Sequence, residues 1–327
     1  MLISCGPFFL AFTCEKRKNS LSQNVTSNYT DSFLSLGKIF VTELNRIAAE
    51  VRATVIELSH MGKTAHLGSS LSCVDILVAL YWQHLNCTPA TVDDPNRDRF
   101  ILSKGHAATA LYAVLAKRGF FPEKEMVNYS QPGSRLPEHP VRNCVPGVEA
   151  TTGSLGHGLS LALGLAVAAR LQRRSSRVYC LLSDGECNEG SVWEAALLAP
   201  AQRLDNLCLI VDFNKWQATG RSREVTQLEP LEQKFAAFGW AVHRVDGHSS
   251  ADLVACLCRS KREDGRPTAI VADTVKGKGV SFMEDDNNWH YRVPTAAEVA
   301  EARRELDLES SCSLIDRVGL NQGDPQL

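Results

Sequence analysis

Two continuous apolar runs, separated by one helical stretch, constrain the fold of this chain most strongly. The runs cover residues 178–182 and 207–211, and a segment that is apolar at every position is typical of a strand buried on both faces of a sheet. Residues 191–202, between the runs, carry an apolar stripe at helical spacing. The stripe consists of Val192, Ala195, Ala196, Leu198 and Ala199. A strand, a helix and a second strand in this order form a parallel crossover, so both strands end on the same edge of one sheet.

The rest of the chain alternates in the same way between helical and strand patterns. Helices are predicted at residues 36–59, 72–85, 106–118, 159–171 and 253–261, and strands at residues 241–245 and 269–272. We expect Ser72 to cap the second of these helices, with Asp75 at its third position, and Gly164 to permit close packing of its helix. Residues 123–149 are rich in Pro, Gly and polar side chains and form a long surface excursion. The fold class is therefore α/β, a mainly parallel sheet with helices on both faces.

Polar residues follow both strands of the crossover. Asp184 comes after the first strand and Asn214 after the second, so we expect them side by side at the carboxyl edge of the sheet, where ligands bind in open α/β folds. Carboxylate and amide oxygens are hard ligands, and Mg²⁺ completes its octahedron with phosphate oxygens and water. Gly185 lets a phosphate approach the main chain closely, and the next helix offers free N–H groups to an anion. The pattern predicts a metal-bridged diphosphate; an ordinary strand-to-helix turn is the alternative.

Composition and charge exclude several classes of protein. The chain has 327 residues, enough for one large α/β domain or two small ones. Its net charge of −2 provides no basic footprint for nucleic acid, and no segment is long and apolar enough to span a membrane. Eleven cysteines without a Cys-x-x-Cys pair are typical of reduced thiols in the cytoplasm. Residues 1–34 lack the polarity of a signal peptide and are expected to form a disordered or non-native extension.

Several longer blocks carry a family resemblance. The stretch 183–190, with Asn214 one βαβ unit later, resembles the thiamine diphosphate signature Gly-Asp-Gly followed by Asn. Further blocks at residues 97–107, 146–156, 189–196, 245–248 and 276–284 occur in family order. Together they resemble the N-terminal half of a transketolase, from about residue 38 to residue 292. The resemblance implies a thiamine diphosphate-binding fold, with a diphosphate domain over residues 35–327. It also implies the cofactors thiamine diphosphate and Mg²⁺, with Ca²⁺ or Mn²⁺ as substitutes.

The resemblance assigns roles to four histidines. By analogy with the family, His66 faces the substrate and the thiazolium carbon, and His106 contacts the diphosphate. His139 reaches the transferred ketol unit, and His290 lies near both cofactor and substrate. We therefore expect His66, His139 and His290 to be catalytic. Chemistry that generates alkoxides needs donors that titrate near neutral pH, which histidine supplies.

The remaining cofactor contacts are also carried over from the family. They are Gly153, Ser154, Leu155, Gly185, Glu186 and Asn214. The resemblance implies Asp184, Asn214 and the main-chain carbonyl of Trp216 as metal ligands. Because the carbonyl would do the binding, the side-chain identity of Trp216 is expected to matter little. Glu189 corresponds to a glutamate at the contact with the partner half, although an exposed acid at a helix N-terminus is an equal reading.

The sequence departs from the family pattern in places that bear on the substrate. Ser183 replaces the first glycine of the Gly-Asp-Gly triplet, and His157 stands where glutamine is usual. Glu138 precedes His139 where glycine is common, which adds negative charge close to the substrate channel. Tyr291 and Arg292 follow His290 where a small residue is expected. We expect the last three departures to tune the acceptor sugar.

The function that the resemblance implies is that of an N-terminal subunit. In full-length transketolases a second domain binds the aminopyrimidine and supplies a glutamate that drives it into its active tautomer. No matched block for that domain follows residue 292, so we expect the partner to be a separate C-terminal subunit, with two copies of each. The pair would transfer a two-carbon ketol unit between sugar phosphates. The alternatives are a specialised split transketolase acting on apulose phosphate or sulfonated ketoses, and a non-catalytic cofactor-binding or regulatory fragment.

Overall fold

The computed structural model describes the main chain of residues 23–261 and 265–318, with side chains from residue 41 onward. The helices are α1 (Gln23–Gly62), α2 (Leu67–Ser72), α3 (Val74–Ala79, continued by a π-helical turn Leu80–His84), α4 (Ala108–Lys117), α5 (Gly158–Leu171), α6 (Gly190–Ala201), α7 (Ser222–Val225), α8 (Leu231–Ala237), α9 (Ser250–Ser260), α10 (Ala296–Glu305) and α11 (Leu314–Val318). The strands are β1 (Arg99–Leu102), β2 (Val178–Ser183), β3 (Leu207–Phe213), β4 (Ala241–Asp246) and β5 (Thr268–Asp273). Single 3₁₀ turns cover Pro89–Thr91, Gly105–Ala107, Glu123–Asn128, Gly185–Asn188 and Asn287–His290.

The strands form one parallel sheet of order β1-β2-β3-β5-β4. The predicted crossover is confirmed, because β2 and β3 are neighbours and Val178 pairs with Leu207 at one end and Ser183 with Asp212 at the other. Both strands therefore deliver the residues that follow them to the same edge. Strand β1 was not predicted as a strand. It is only four residues long, which is too short to show a period.

Helices cover both faces of the sheet, as predicted. Alternate residues of each central strand enter different cores: Tyr179 and Leu181 pack with α1 to α4, whereas Cys180 and Leu182 pack with α5, α6 and α8. Burial on both faces is the reason that these strands read as unbroken apolar runs. Apolar burial of this extent is the main favourable term for folding.

Three expectations about the helices are wrong. Ser72 does not begin a helix but ends α2, and its hydroxyl donates to the main chain of Ser69 and to Asp212. Gly164 does not mediate close packing, because a Cβ there would meet nothing within 4 Å. Leu198, placed in the core stripe of α6, is 46% exposed. The stripe members Val192, Ala195, Ala196 and Ala199 are buried as expected.

The first helix begins at Gln23 rather than near residue 36. Residues 23–34, part of the segment expected to be a disordered or non-native extension, are therefore helical, and residues 1–22 lie outside the described residues. None of the helices in the described part of the chain combines the length and apolar character needed to cross a membrane.

Candidate active site

The predicted metal residues meet at the carboxyl edge of β2 and β3. Asp184 and Asn214 are both buried. Oδ2 of Asp184 accepts from the main-chain N–H of Lys215 at 2.9 Å and from the Ser222 hydroxyl at 2.7 Å, while Oδ1 accepts from the N–H of Gly185 at 3.0 Å. The carboxylate therefore holds the loop that carries Asn214. Oδ1 of Asn214 in turn accepts from the N–H of Trp216 at 3.0 Å.

The charge of Asp184 is poorly compensated by the protein. Its partners in these hydrogen bonds are two amides and a hydroxyl, all of them neutral. Burial raises the pKa of Asp184 to about 6, even though the hydrogen bond from Ser222 works in the opposite direction. A divalent cation fits this set of oxygen donors, because it would supply the missing positive charge. Among the described residues no group of three His, Cys, Asp or Glu side chains has metal-binding geometry. The proposed ligand set is of a different kind, since it combines one carboxylate with an amide and a main-chain carbonyl.

Glu186 is the point at which three loops of the site meet. Its Oε1 accepts from the Ser103 hydroxyl at 2.6 Å and from the N–H of Gly156 at 3.0 Å, and its Oε2 accepts from the N–H of Ser183 at 3.0 Å. Burial raises the pKa of this carboxyl, against these hydrogen bonds. The hydroxyl of Ser183, which replaces the family's glycine, accepts from the N–H of Glu186 and closes the turn. The side chain of Glu186 thus fixes the loops rather than facing open space.

The four histidines singled out from the sequence form one cluster. The ring centroid of His66 lies 4.9 Å from that of His290, 5.5 Å from that of His106 and 5.8 Å from that of His139. His66 reaches this position through a left-handed main chain with φ of 65°, and its N–H donates to the carbonyl of His290 at 2.9 Å. Residues from four separate segments therefore converge on one place.

Two glycines let the loops behind this cluster approach each other. A Cβ on Gly105 would lie 2.7 Å from the main-chain N of Gly153, and a Cβ on Gly153 would lie 2.9 Å from Cδ2 of His139. Gly153 also has φ of 132°, which side-chain-bearing residues rarely adopt. The predicted cofactor loop is therefore in contact with both the His106 turn and His139. Ser154 and Leu155, next along this loop, are exposed.

Lys276 is a functional candidate that sequence reasoning missed. Its Nζ donates to Oδ1 of Asn287 at 2.7 Å and lies 3.1 Å from Nδ1 of His290. Burial and then the charge of Lys104 lower the pKa of Lys276 to about 8, and burial with the charge of Lys276 lowers the pKa of His290 to about 3. At neutral pH the ammonium therefore donates to Nδ1, and His290 carries its proton on Nε2. Lys276 opens the matched block 276–284, which was the available signal.

A buried ion pair supports the site from below. Lys104 and Asp212, both fully buried, form a salt bridge, and the Lys104 ammonium also donates to the carbonyl of Ser69 at 2.8 Å. The Ser72 hydroxyl donates to Asp212 at 2.6 Å. Burial opposes ionisation, but the charge of Lys104 holds the pKa of Asp212 below its usual value. Burial and then the charge of Lys104 hold the pKa of His106 well below its usual value, so His106 is neutral.

Two further departures from the family pattern lie within the site. Oε1 of Glu138 is 3.4 Å from Nδ1 of His66, an ion-pair distance. Burial lowers the pKa of His66, and the charge of Glu138 opposes that shift. His157 sits at the start of α5, where its Nδ1 is 3.3 Å from the Ser154 hydroxyl and 3.0 Å from the carbonyl of Leu155. It therefore braces the exposed part of the glycine loop.

The family of the chain follows from a comparison with known proteins. The family described as transketolase, thiamine diphosphate binding domain, matches residues 44–315. The chain belongs to the transketolase family. The resemblance found in the sequence is confirmed, and so is the α/β fold with one parallel sheet.

The relatives differ in how much of their length corresponds to this chain. The transketolase of Leishmania mexicana has a TM-score of 0.78 and 28% identity, and the match covers 83% of this chain but only 42% of that one. In contrast, an apulose-4-phosphate transketolase subunit of Actinobacillus succinogenes is 42% identical over 81% of this chain and 96% of its own length. The 6-deoxy-6-sulfo-D-fructose transketolase subunit SqwG of a Clostridium species is 41% identical over 80% of this chain and 94% of its own. The chain therefore resembles separate transketolase subunits along nearly their whole length, and spans less than half of the Leishmania enzyme.

Proposed function

We propose that this chain is the N-terminal subunit of a two-subunit transketolase, which transfers a two-carbon ketol unit between sugar phosphates with thiamine diphosphate and Mg²⁺. The observation that carries the proposal is the juxtaposition at one sheet edge of a buried carboxylate whose hydrogen-bond donors are neutral, Asp184, and a cluster of four histidines. The relatives named as subunits support the division into two chains.

The metal and the diphosphate would be held at the ends of β2 and β3. Asp184, Asn214 and the carbonyl of Trp216 would bind the cation, because they offer the oxygen donors that Mg²⁺ prefers. Neutral His106 would donate to the diphosphate, and Gly153 and Gly185 would let it approach the main chain. When bound, thiamine diphosphate supplies the carbon nucleophile and the electron sink for ketol transfer.

The histidines would handle substrate oxygens and their protons. His290 presents an Nε2–H donor, because Lys276 occupies its Nδ1. His66 and His139 face the same space and would donate to, or accept from, hydroxyl groups of the ketose. Glu138 beside His66 favours hydroxyl-bearing over anionic groups at this point, since a like charge would be repelled.

The partner would cover an apolar face next to the site. Leu161 on α5 and Leu197 and Leu198 on α6 are 45%, 62% and 46% exposed, and the two helices pack together. Leu155, in the cofactor loop, is exposed at the start of this face. Several exposed leucines on two packed helices are typical of an interface, and a C-terminal subunit seated there would close the cofactor site. We propose two copies of each subunit, in the cytoplasm.

The substrates of the two relatives define the specialised alternatives. One is named for apulose 4-phosphate and the other for 6-deoxy-6-sulfo-D-fructose, at 42% and 41% identity, so similarity favours neither of the two over the other. The classical donor xylulose 5-phosphate is the third candidate. A non-catalytic cofactor-binding subunit would share the metal site. It would have no need for the histidine cluster, and the cluster therefore favours the enzyme.

The test is reconstitution with a C-terminal transketolase subunit from the same genome. The chain is purified free of host transketolase and assayed alone and with the partner against the three ketoses. We expect undetectable ketol transfer by the lone chain and transfer from one of these donors by the pair. Robust transfer by the lone chain would contradict the two-subunit reading. Cofactor binding by the pair without transfer from any donor would favour the non-catalytic alternative.

A further inference from the structure

Three side chains close in sequence to the proposed metal ligands or to His290 contact one another. The guanidinium of Arg221 lies over the indole of Trp216, 3.8 Å from the ring centroid. The same guanidinium donates to both carboxylate oxygens of Asp285, at 2.6 and 2.5 Å. The indole N–H of Trp216 donates to Oδ1 of Asp285 at 2.8 Å. Each of the three side chains therefore contacts both of the others, and we call this group the clamp.

The clamp joins two segments that are distant in sequence. Trp216 and Arg221 belong to the metal loop, residues 214–222, which carries Asn214 and the Trp216 carbonyl. Asp285 opens the segment 285–291, which carries His290. The metal loop is thus attached on two sides: Ser222 and the N–H of Lys215 tie it to Asp184, and the clamp ties it to the histidine segment.

Two further contacts cross the same gap. The Asn287 amide and the Tyr291 hydroxyl each donate to the carbonyl of Ala218 at 3.0 Å. Asn287 also accepts from Lys276, which lies against His290. The metal loop is therefore connected through hydrogen bonds to the group that sets the tautomer of His290.

The side chains of Arg221 and Asp285 are 28% and 54% exposed, and the geometry of the clamp is what separates it from an ordinary surface ion pair. Exposed pairs contribute little because solvent screens them and two flexible side chains must be ordered. Here the pairing is bidentate, which adds strength and direction, and the guanidinium is also held by the ring beneath it. Asp285 has φ of 58°, a left-handed conformation that is uncommon for a residue with a side chain. Such a conformation persists only where the surroundings hold it.

We propose that Trp216, Arg221 and Asp285 are positioning residues that hold the metal loop closed against the His290 segment, so that the clamp retains a metal-bound diphosphate behind it. The proposal rests on the proposed function, because it takes thiamine diphosphate and Mg²⁺ as the occupants of the site. In this proposal the indole of Trp216 holds the loop, so the identity of this side chain matters in addition to its main-chain carbonyl. It also couples occupancy of the metal site to the position of His290.

The loop itself provides a test that needs no cofactor. Lys215, Arg221 and Arg223 make the metal loop and its end cleavable by trypsin, and proteolysis in the native state follows the population of the open form. We expect Asp285→Asn, which removes the charge but keeps the shape, to accelerate cleavage at these three positions about tenfold. Trp216→Leu keeps the carbonyl and should have the same effect. Glu301→Gln, which removes an exposed ion pair with Arg304 on α10, is the matched control and should cleave like the wild type.

Retention of the cofactor is measured on the full chain with the partner subunit. Thiamine diphosphate and Mg²⁺ are loaded, EDTA is added, and release of the cofactor is followed by intrinsic fluorescence and rapid filtration. We expect Asp285→Asn and Trp216→Leu to release it about tenfold faster than the wild type and Glu301→Gln. Asp285→Glu, which keeps the charge, should recover part of the difference.

The outcomes distinguish this inference from the proposed function. If the wild type binds and the variants cleave and release like the control, the clamp does not hold the loop and the inference is wrong. If the variants open the loop but release the cofactor at the wild-type rate, retention is overturned. If the wild type binds no thiamine diphosphate with Mg²⁺, the proposed function fails, and the retention part of this inference fails with it.

Discussion

At the scale of single residues, the site is organised around charges that the protein buries. Asp184 and Asn214 could be predicted because they follow strands of a crossover whose geometry is fixed by the chain itself. Lys276 and Ser222 could not be assigned roles, because their partners come from segments far apart in sequence. Lys276 lies 14 positions from His290 and 11 from Asn287, and no local period links them. Residue type and spacing thus predicted where the proposed ligands lie, and not the groups that orient them.

The metal assignment predicts the behaviour of Asp184→Asn. The substitution removes the carboxylate charge, so Mg²⁺ should no longer bridge the protein and the diphosphate. The wild type should melt at a higher temperature with thiamine diphosphate and Mg²⁺, because a ligand at 100 times Kd raises the free energy of unfolding by about 3 kcal/mol. We expect Asp184→Asn to lose this rise. Differential scanning fluorimetry with the partner subunit measures it. Asp246→Asn, at the same edge of the sheet on β4, is the control and should keep the rise. An unchanged rise in Asp184→Asn would contradict the assignment.

At the scale of elements, the strands were easier to predict than the helices. The central strands are buried on both faces, and their short apolar runs, rich in Val, Leu and Ile, are typical of parallel strands. The predicted helix at residues 72–85 is α3 with its π-helical turn, and it is preceded by a separate helix, α2, which ends at Ser72. Serine is a good N-capping residue, but the hydroxyl of Ser72 donates to Asp212 on β3. Because this tertiary contact overrides the local preference, Ser72 ends α2 and does not begin α3. The helix α10 was missed since only Ala302 of it is buried, which leaves little apolar period.

A buried triad at the element scale predicts a pH dependence. Oδ2 of Asp75, on α3, accepts from Arg52 of α1 at 2.5 Å and from Nδ1 of His248 at 2.7 Å. Nε2 of His248 accepts from the N–H of Val275 at 2.8 Å, so the triad also fixes the segment that carries Lys276. Burial opposes ionisation, but the charge of Arg52 and the hydrogen bonds from His248 and Arg52 keep the pKa of Asp75 below its usual value.

Because the pKa of Asp75 is lower in the folded state, its stabilisation is full above the unfolded pKa and is lost as pH falls through the folded one. We expect Asp75→Asn to lower the free energy of unfolding by about 3 kcal/mol at pH 7, since it leaves Arg52 buried without a counter-charge. The difference from the wild type should be constant between pH 6 and pH 8 and shrink below about pH 4. Urea titrations across this range measure it. A difference that stays constant down to pH 3 would show that packing, and not charge, is responsible.

At the scale of the whole molecule, the apolar surface was the least predictable feature. Helix α6 is apolar nearly all round, so its sequence does not separate the leucines that face the core from those that face outward. Leu197, Leu198 and Val192 are all aliphatic, so residue type does not separate them. The two leucines are nevertheless exposed, whereas Val192 is buried. The packing of α6 against α5, α8 and the sheet decides which side is covered. Surfaces meant for another chain resemble a core in sequence for this reason.

This surface predicts the behaviour of Leu197→Glu. The side chain is 62% exposed in the single chain, so its replacement should leave the free energy of unfolding of the lone chain within about 0.5 kcal/mol of the wild type. An unpaired carboxylate in the interface should weaken association with the C-terminal subunit by about tenfold or more. Sedimentation velocity of the mixed subunits measures the association. Ala300→Glu, at an exposed position of α10, is the control and should associate normally; equal association by both variants would place the interface elsewhere.

The arrangement around Glu186 also limits how such a protein can change. One carboxylate accepts from Ser103, Gly156 and Ser183, and these residues lie at the start of the histidine turn, in the glycine loop and at the end of β2, where the metal turn begins. None of the three loops can be exchanged alone for a loop from another enzyme, because the new main chain would have to offer its donor at the same point. A designer who wishes to alter substrate choice would do better with Glu138 or Tyr291, whose side chains stand apart from this junction, and would transplant the three loops as one unit.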